Sequence, residues 1–217
     1  MHCVASFLRA VALAVVVGVA LGIVGQTGSD LHPGMRWVVA LGVPWLVTAF
    51  VAGALLGGRV RGAFAGATAL VVGTLAYYAL RVLLGGGGPL ELEGLALRGG
   101  PVVIGWCVAA VFGGAVFGLA GALWRRGGTV AHVAGAALVS GALVGEALLL
   151  IGEWAGRGAR LVLTAELALG AALPFLITRR RVLILPALAL TAVVAVTVGV
   201  AEDGVRDALR EVGWRGA

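Results

Sequence analysis

The sequence predicts an all-α fold, a polytopic bundle of helices that crosses a membrane. Three observations carry this expectation. The chain is 61% hydrophobic and only 12% charged, with a mean hydropathy of +1.08, whereas a soluble domain is about 45–50% apolar and about 25% charged. The apolar residues fall in runs close to the roughly 20 residues that a spanning helix needs. The punctuation between runs is largely arginine: all 16 basic residues of this 217-residue chain are arginine, and the net charge is +6.

Seven runs are read as spans, at about 5–25, 36–57, 62–84, 101–123, 129–151, 160–178 and 182–200. The first holds Arg9 near its start and is apolar from there to Val24, with no small-x-small cleavage site after it, so it reads as an uncleaved span. The second carries Pro44-Trp45 and stops at the turn holding Arg59 and Arg61; the third runs from there to Arg81. A glycine-rich loop, 85–100, leads to the fourth, which ends at Arg125 and Arg126; the fifth starts beyond Gly127-Gly128. The sixth starts at Arg160. It meets the seventh through Thr178 to Arg181 alone, so six spans with one segment re-entrant stay open. The tail places Val205, Ala208, Leu209 and Val212 on one helical face, an amphipathic segment for the outer surface. The expected organisation is one transmembrane domain, 1–201, with a short tail, 202–217.

Arginine bias gives the orientation, because cytoplasmic loops retain positive charge. Arg59 and Arg61, Arg125 and Arg126, and Arg179, Arg180 and Arg181 set the topology. All fall on the side of Arg9 if spans alternate, which puts the N-terminus inside the plasma membrane and the C-terminus outside. Three stripes of small residues spaced by four are candidate helix contacts: Ala14, Gly18 and Gly22; Gly114, Gly118 and Ala122; Ala137, Gly141 and Gly145. Residues 65–80 also align with 134–148 through one gap, matching Gly66 to Gly135, Gly73 to Gly141 and Tyr78 to Glu146. That likeness points to a parallel hairpin repeat, of a kind found in transporters; a chain of Ala, Gly, Val and Leu also matches itself by composition alone.

Several function classes are excluded or disfavoured. Lysine is absent, so neither a lysine Schiff base nor a P-loop can form. The arginines sit in short turns and not on one polar face, which argues against nucleic acid. Cys3 and Cys107 are far apart, and His2, His32 and His132 are scattered, so no metal or cofactor is expected. No span holds an aspartate. Ser140 and His132 are eight residues apart on one helix, about 12 Å by rise, too far for an activated nucleophile. An enzyme is therefore disfavoured.

What remains is a set of polar residues in the half of the spans away from the arginine turns. Glu146 and Glu166 lie within apolar runs, with Arg81, Tyr77, Tyr78, Trp45 and Gln26 at nearby depth. A charge at the bilayer centre costs about 2.5–3.5 kcal/mol on insertion scales, so such residues face a bundle or a cavity. Two readings stay open. In one, Glu146 or Glu166 pairs with Arg81 or Arg160 and locks helices of a structural or accessory protein. In the other, the group binds a small solute from the extracytoplasmic side, in a transporter or its binding subunit. Beyond the lipid bilayer, the partners considered are that solute and a membrane protein or second copy of the chain.

The stretch "GQ" at 25–26, Pro33, "PWLVTAFVAGAL" at 44–55 and "YY" at 77–78 resemble a group of small actinobacterial integral-membrane proteins, domain of unknown function 6518. The likeness covers spans 1 to 5 and weakens after them. It implies a membrane location and carries over no substrate and no catalytic residue.

Overall fold

The computed structural model describes residues 2–31, 41–56, 58–84, 100–151, 157–177 and 181–211. Among these residues the regular structure is all helical, with seven α-helices: α1 (His2–Leu31), α2 (Val43–Leu56), α3 (Arg59–Leu84), α4 (Gly100–Arg126), α5 (Thr129–Leu150), α6 (Arg157–Ile177) and α7 (Ile184–Glu211). A 3-10 turn, Arg181–Leu183, precedes α7. Five helices are long and apolar enough to cross a membrane, and α1 and α2 contribute shorter apolar stretches, Val11–Thr27 and Val43–Leu56. The outward faces fit a lipid surround, since residues such as Phe112, Leu161 and Val196 are exposed on spanning helices.

Helices α1 to α4 form one group, in which α3 packs on α1, α2 and α4; α5 to α7 form a second around α5. The groups meet through α4 against α5 and, more narrowly, α2 against α5 and α4 against α7. Small residues make these contacts close. Gly18 and Gly22 back onto α3, where a methyl group on Gly22 would lie 2.6 Å from the carbonyl oxygen of Gly73. Gly114 and Gly118 meet Gly62 and Gly66, and Gly145 meets Ala195. The three stripes spaced by four therefore do lie at helix interfaces, where the missing side chain lets backbones approach.

Three helices depart from their sequence limits, of which α1 simply runs on past residue 25 to Leu31. The second span was expected from residue 36; residues 36–40 lie outside the described set, Leu41 and Gly42 are not helical, and α2 has 14 residues. At 1.5 Å per residue that is about 21 Å, against the roughly 30 Å of a hydrocarbon core. Pro44 fixes the start, since it has no N–H to donate and its ring is pre-set for a first turn. The seventh helix is longer than expected. Residues 202–211 continue α7 without a break, and Arg206 and Leu209 are buried on it.

Proline inside a helix costs a backbone bond, and Pro174 does so in α6. The carbonyl four residues earlier, that of Gly170, would lose its donor. Ser140 of α5 donates its hydroxyl to that oxygen. Ser140 is thus spent on helix packing, while His132 is exposed near the Gly128 turn.

Candidate functional site

The short helix α2 ends inside the bundle, so its first amides need partners that water would otherwise supply. Glu146, fully buried on α5, provides them. Its Oε1 accepts from the amide of Gly42, and its Oε2 accepts from the amide of Val43 at 2.7 Å. Pro44 has no amide to satisfy. The amides of Trp45 and Leu46 turn back to the Gly42 carbonyl, at 3.0 and 3.1 Å. Every first-turn donor of α2 is accounted for. At the other end Arg125 of α4 donates to the carbonyls of Ala54 and Leu55, at 3.0 and 2.8 Å. A carboxylate therefore holds the positive end of α2 and a guanidinium the negative end, matching its macrodipole.

Glu146 does not stand alone. Glu202 of α7 and Glu166 of α6 lie close enough to act on it electrostatically, and Glu202 also acts on Glu166. A methyl group on Gly42 would sit 3.3 Å from Glu146 Oε1 and 3.9 Å from Glu202 Oε1. A side chain there would press on the Glu146 carboxylate and touch that of Glu202. Glu202 accepts from Arg206 one turn on, from Nε at 3.0 Å and from Nη2 at 2.6 Å. Glu166 differs from the other two. It is 6% exposed, and its Oε2 is buried with no hydrogen-bond partner. Carboxylates from α5, α6 and α7 thus lie within electrostatic range of one another at the end of the bundle away from the arginine turns. Two have strong donors and one keeps an oxygen free.

The remaining residues singled out in the sequence form a second group beside the first. Trp45 meets Tyr77 edge-on with ring centroids 6.2 Å apart, and Tyr77 meets Tyr78 edge-on at 5.2 Å. Gly25 makes room for them, since a methyl there would lie 3.2 Å from Trp45 Cζ2 and 3.3 Å from Tyr77 Cδ2. Gln26, next along α1, is half-buried. Both groups involve the start of α2, where Trp45 lies two residues beyond the Val43 amide that Glu146 holds. Arg81 is exposed at the end of α3, beside Tyr78, and Arg160 is exposed on α6. The partner of Glu146 is therefore the backbone of α2 and not Arg81 or Arg160.

Gly42, Glu202 and Arg206 complete the group and were not singled out in the sequence. Two signals mark them. Gly42-Val43-Pro44 has the form of a helix start, with proline in the first turn. Glu202 and Arg206 are an i, i+4 pair of the favourable order. Among the described residues no three His, Cys, Asp or Glu side chains come together to hold a metal ion.

Apolar helices with lipid-facing outer surfaces, packed through small residues, around a few buried charges define a multi-pass helical membrane protein. No curated protein and no solved structure matches the chain. A family model does match, over residues 1–206, and the chain belongs to that family, described as a family of unknown function, DUF6518. The match runs past the fifth span and takes in Glu146, Glu166, Glu202 and Arg206.

Proposed function

We propose that the protein binds a small solute carrying a positive charge from the extracytoplasmic side of the plasma membrane, as a transporter or a transporter's binding subunit. The observation behind this is Glu166, a buried carboxylate with a free oxygen in a cluster whose other acids already have donors. An ionised group in that position is costly unless paired, and a cationic group from outside would pair it. The arginine bias supports the orientation: arginine turns and N-terminus inside, seven spans, C-terminus outside. The tail beyond residue 201 then lies at the outer surface, and the acidic cluster in the outer half. Tyr77, Tyr78, Trp45 and Gln26 would flank the solute. The likeness of 65–80 to 134–148 supports a transporter built from parallel hairpins.

A second reading has its own observation. Glu146 is wholly used as the cap of α2, as in a structural or accessory protein whose charges only lock helices. Thermal unfolding of the purified protein against a panel of inorganic cations and small amines separates the two. A binding protein is stabilised by at least one member, and Glu166→Gln abolishes that response. A wild type that responds to none, with a Glu166→Gln variant as stable as the wild type, leaves the structural reading. Reporter fusions test the topology: a C-terminal fusion active only in the cytoplasm refutes the seven-span count.

A further inference from the structure

Glu166 sits midway along α6, with Oε2 buried and without a hydrogen-bond partner. The helix packs against α5 and, more narrowly, against α7. Among the described residues, the ionisable side chains those helices bring within range are acids. Glu202 of α7 acts on Glu166, and Glu166 acts in turn on Glu146 of α5. Arg206 of α7 binds Glu202. On α6 itself, Arg160 is exposed nearly two turns earlier.

The two neighbours are placed as anions. Glu146 accepts from an amide with each oxygen, and Glu202 accepts twice from the guanidinium of Arg206. A third negative charge beside them, with no donor of its own, would add repulsion to the loss of water. A buried carboxyl group so placed sheds its charge by taking up a proton. A proton also suits the space, since it needs one oxygen and no cavity. Magnesium or calcium takes about six oxygen ligands or more, and among the described residues no three His, Cys, Asp or Glu side chains gather to begin such a set.

We propose that the proton is the ion exchanged for the cationic solute at Glu166. While the site is empty, Glu166 holds a proton on its free oxygen. When the solute arrives the O–H bond breaks, its electron pair stays on the oxygen, and the proton passes to water. The carboxylate then pairs with the positive charge of the solute. A protonated carboxyl group cannot neutralise that charge, so proton and solute exclude each other and exchange one for one, an electroneutral step. Intramembrane acids serve as proton carriers in this way in transporters. The exchange rests on the solute-binding reading above. It also assigns the solute an amine as its charged group, because a single carboxylate oxygen accepts an N–H well but cannot complete the shell of a metal ion.

Infrared spectroscopy of the full chain in detergent tests the proton without any solute. A protonated carboxyl group has a carbonyl stretch distinct from the carboxylate and amide bands, and it shifts in heavy water. The wild type at neutral pH is expected to show this band, Glu166→Gln to lose it and Glu202→Gln to keep it. A wild type without the band overturns the proposal, whether or not an amine stabilises the protein. So does a band that survives Glu166→Gln and vanishes in Glu146→Gln. Methylammonium is the probe of exchange. It should raise the thermal midpoint, weaken the band and release about one proton per molecule bound, and each unit fall in pH should weaken its binding about tenfold. Stabilisation by methylammonium with the band unchanged overturns the exchange and leaves the solute-binding reading standing. A band that is present while methylammonium and the other amines leave the midpoint unmoved removes the solute-binding reading, and the exchange with it.

Discussion

Glu146→Gln is the change whose effect the structure specifies most closely. The carboxylate accepts from two amides at the start of α2. Glutamine has nearly the same shape but one acceptor, so one amide would keep a neutral bond and the other would face an NH2 group. Charge-assisted bonds contribute about 1.5–3 kcal/mol each, and a buried donor without a partner costs about 1–3 kcal/mol. A favourable macrodipole contact is also lost. Removing a buried charge returns part of this, because the carboxylate no longer has to be kept out of water. The net local cost should be about 2 kcal/mol, equivalent to roughly 30-fold more frequent opening of the first turn of α2. Hydrogen exchange in detergent reads this directly at the amides of Val43, Trp45 and Leu46, Pro44 having none. The Gly18–Gly22 stretch of α1 serves as an internal reference, and Glu202→Gln, which leaves both bonds of Glu146 in place, as a second control. Unchanged exchange at the three amides would refute the capping role. Equal acceleration at Gly18–Gly22 would show global destabilisation instead.

Other changes test the same reasoning. Arg125→Gln removes two bonds to the last carbonyls of α2 and should cost about 1–2 kcal/mol in thermal unfolding; its effect should be non-additive with Glu146→Gln, since both act on one 14-residue helix. Ser140→Ala leaves the Gly170 carbonyl without its donor, again at about 1–2 kcal/mol. In a Pro174→Ala background the restored amide can serve that carbonyl, so the loss of Ser140 should cost less than about half as much; an undiminished cost there would show that the hydroxyl does not act through Gly170. Gly66→Ala would place a methyl 2.8 Å from the Cα of Gly118 and should destabilise by about 1–3 kcal/mol. Gly204→Ala meets open space on the exposed face of α7 and should be neutral or stabilise by up to about 1 kcal/mol, so equal effects at the two glycines would contradict the packing described.

The parts of this molecule that were legible in the sequence are those whose physics is a pattern of side chains. Lipid solvation shows as hydropathy, and close helix contacts show as small residues four apart, so Gly18–Gly22, Gly114–Gly118 and Gly141–Gly145 could be placed at interfaces before any fold was known. Glu146 could be singled out for the same reason, as an expensive residue in an apolar run. Its partner could not, because the partner is backbone. Amides leave no mark on composition, and Gly42 and Val43 are more than 100 residues away along the chain. A search for the partner among charged side chains reaches Arg81 and Arg160, the nearest candidates by depth, and both are exposed. The signal that leads to α2 is a deficit and not a residue. A run read as a full span contains Gly42 and Pro44 near its start, which shortens the helix to 14 residues and strands its first donors in the bundle. Four backbone donors cannot remain unpaired in an apolar interior, so a shortened span implies an acceptor nearby; among the described residues the acids within apolar runs are Glu146 and Glu166, the others lying at helix ends, Asp30 on α1 and Glu202, Asp203, Asp207 and Glu211 on α7. Glu146 supplies that acceptor. This leaves Glu166 as the acid without an assigned structural task, and it is on Glu166 that a solute-binding role stands or falls.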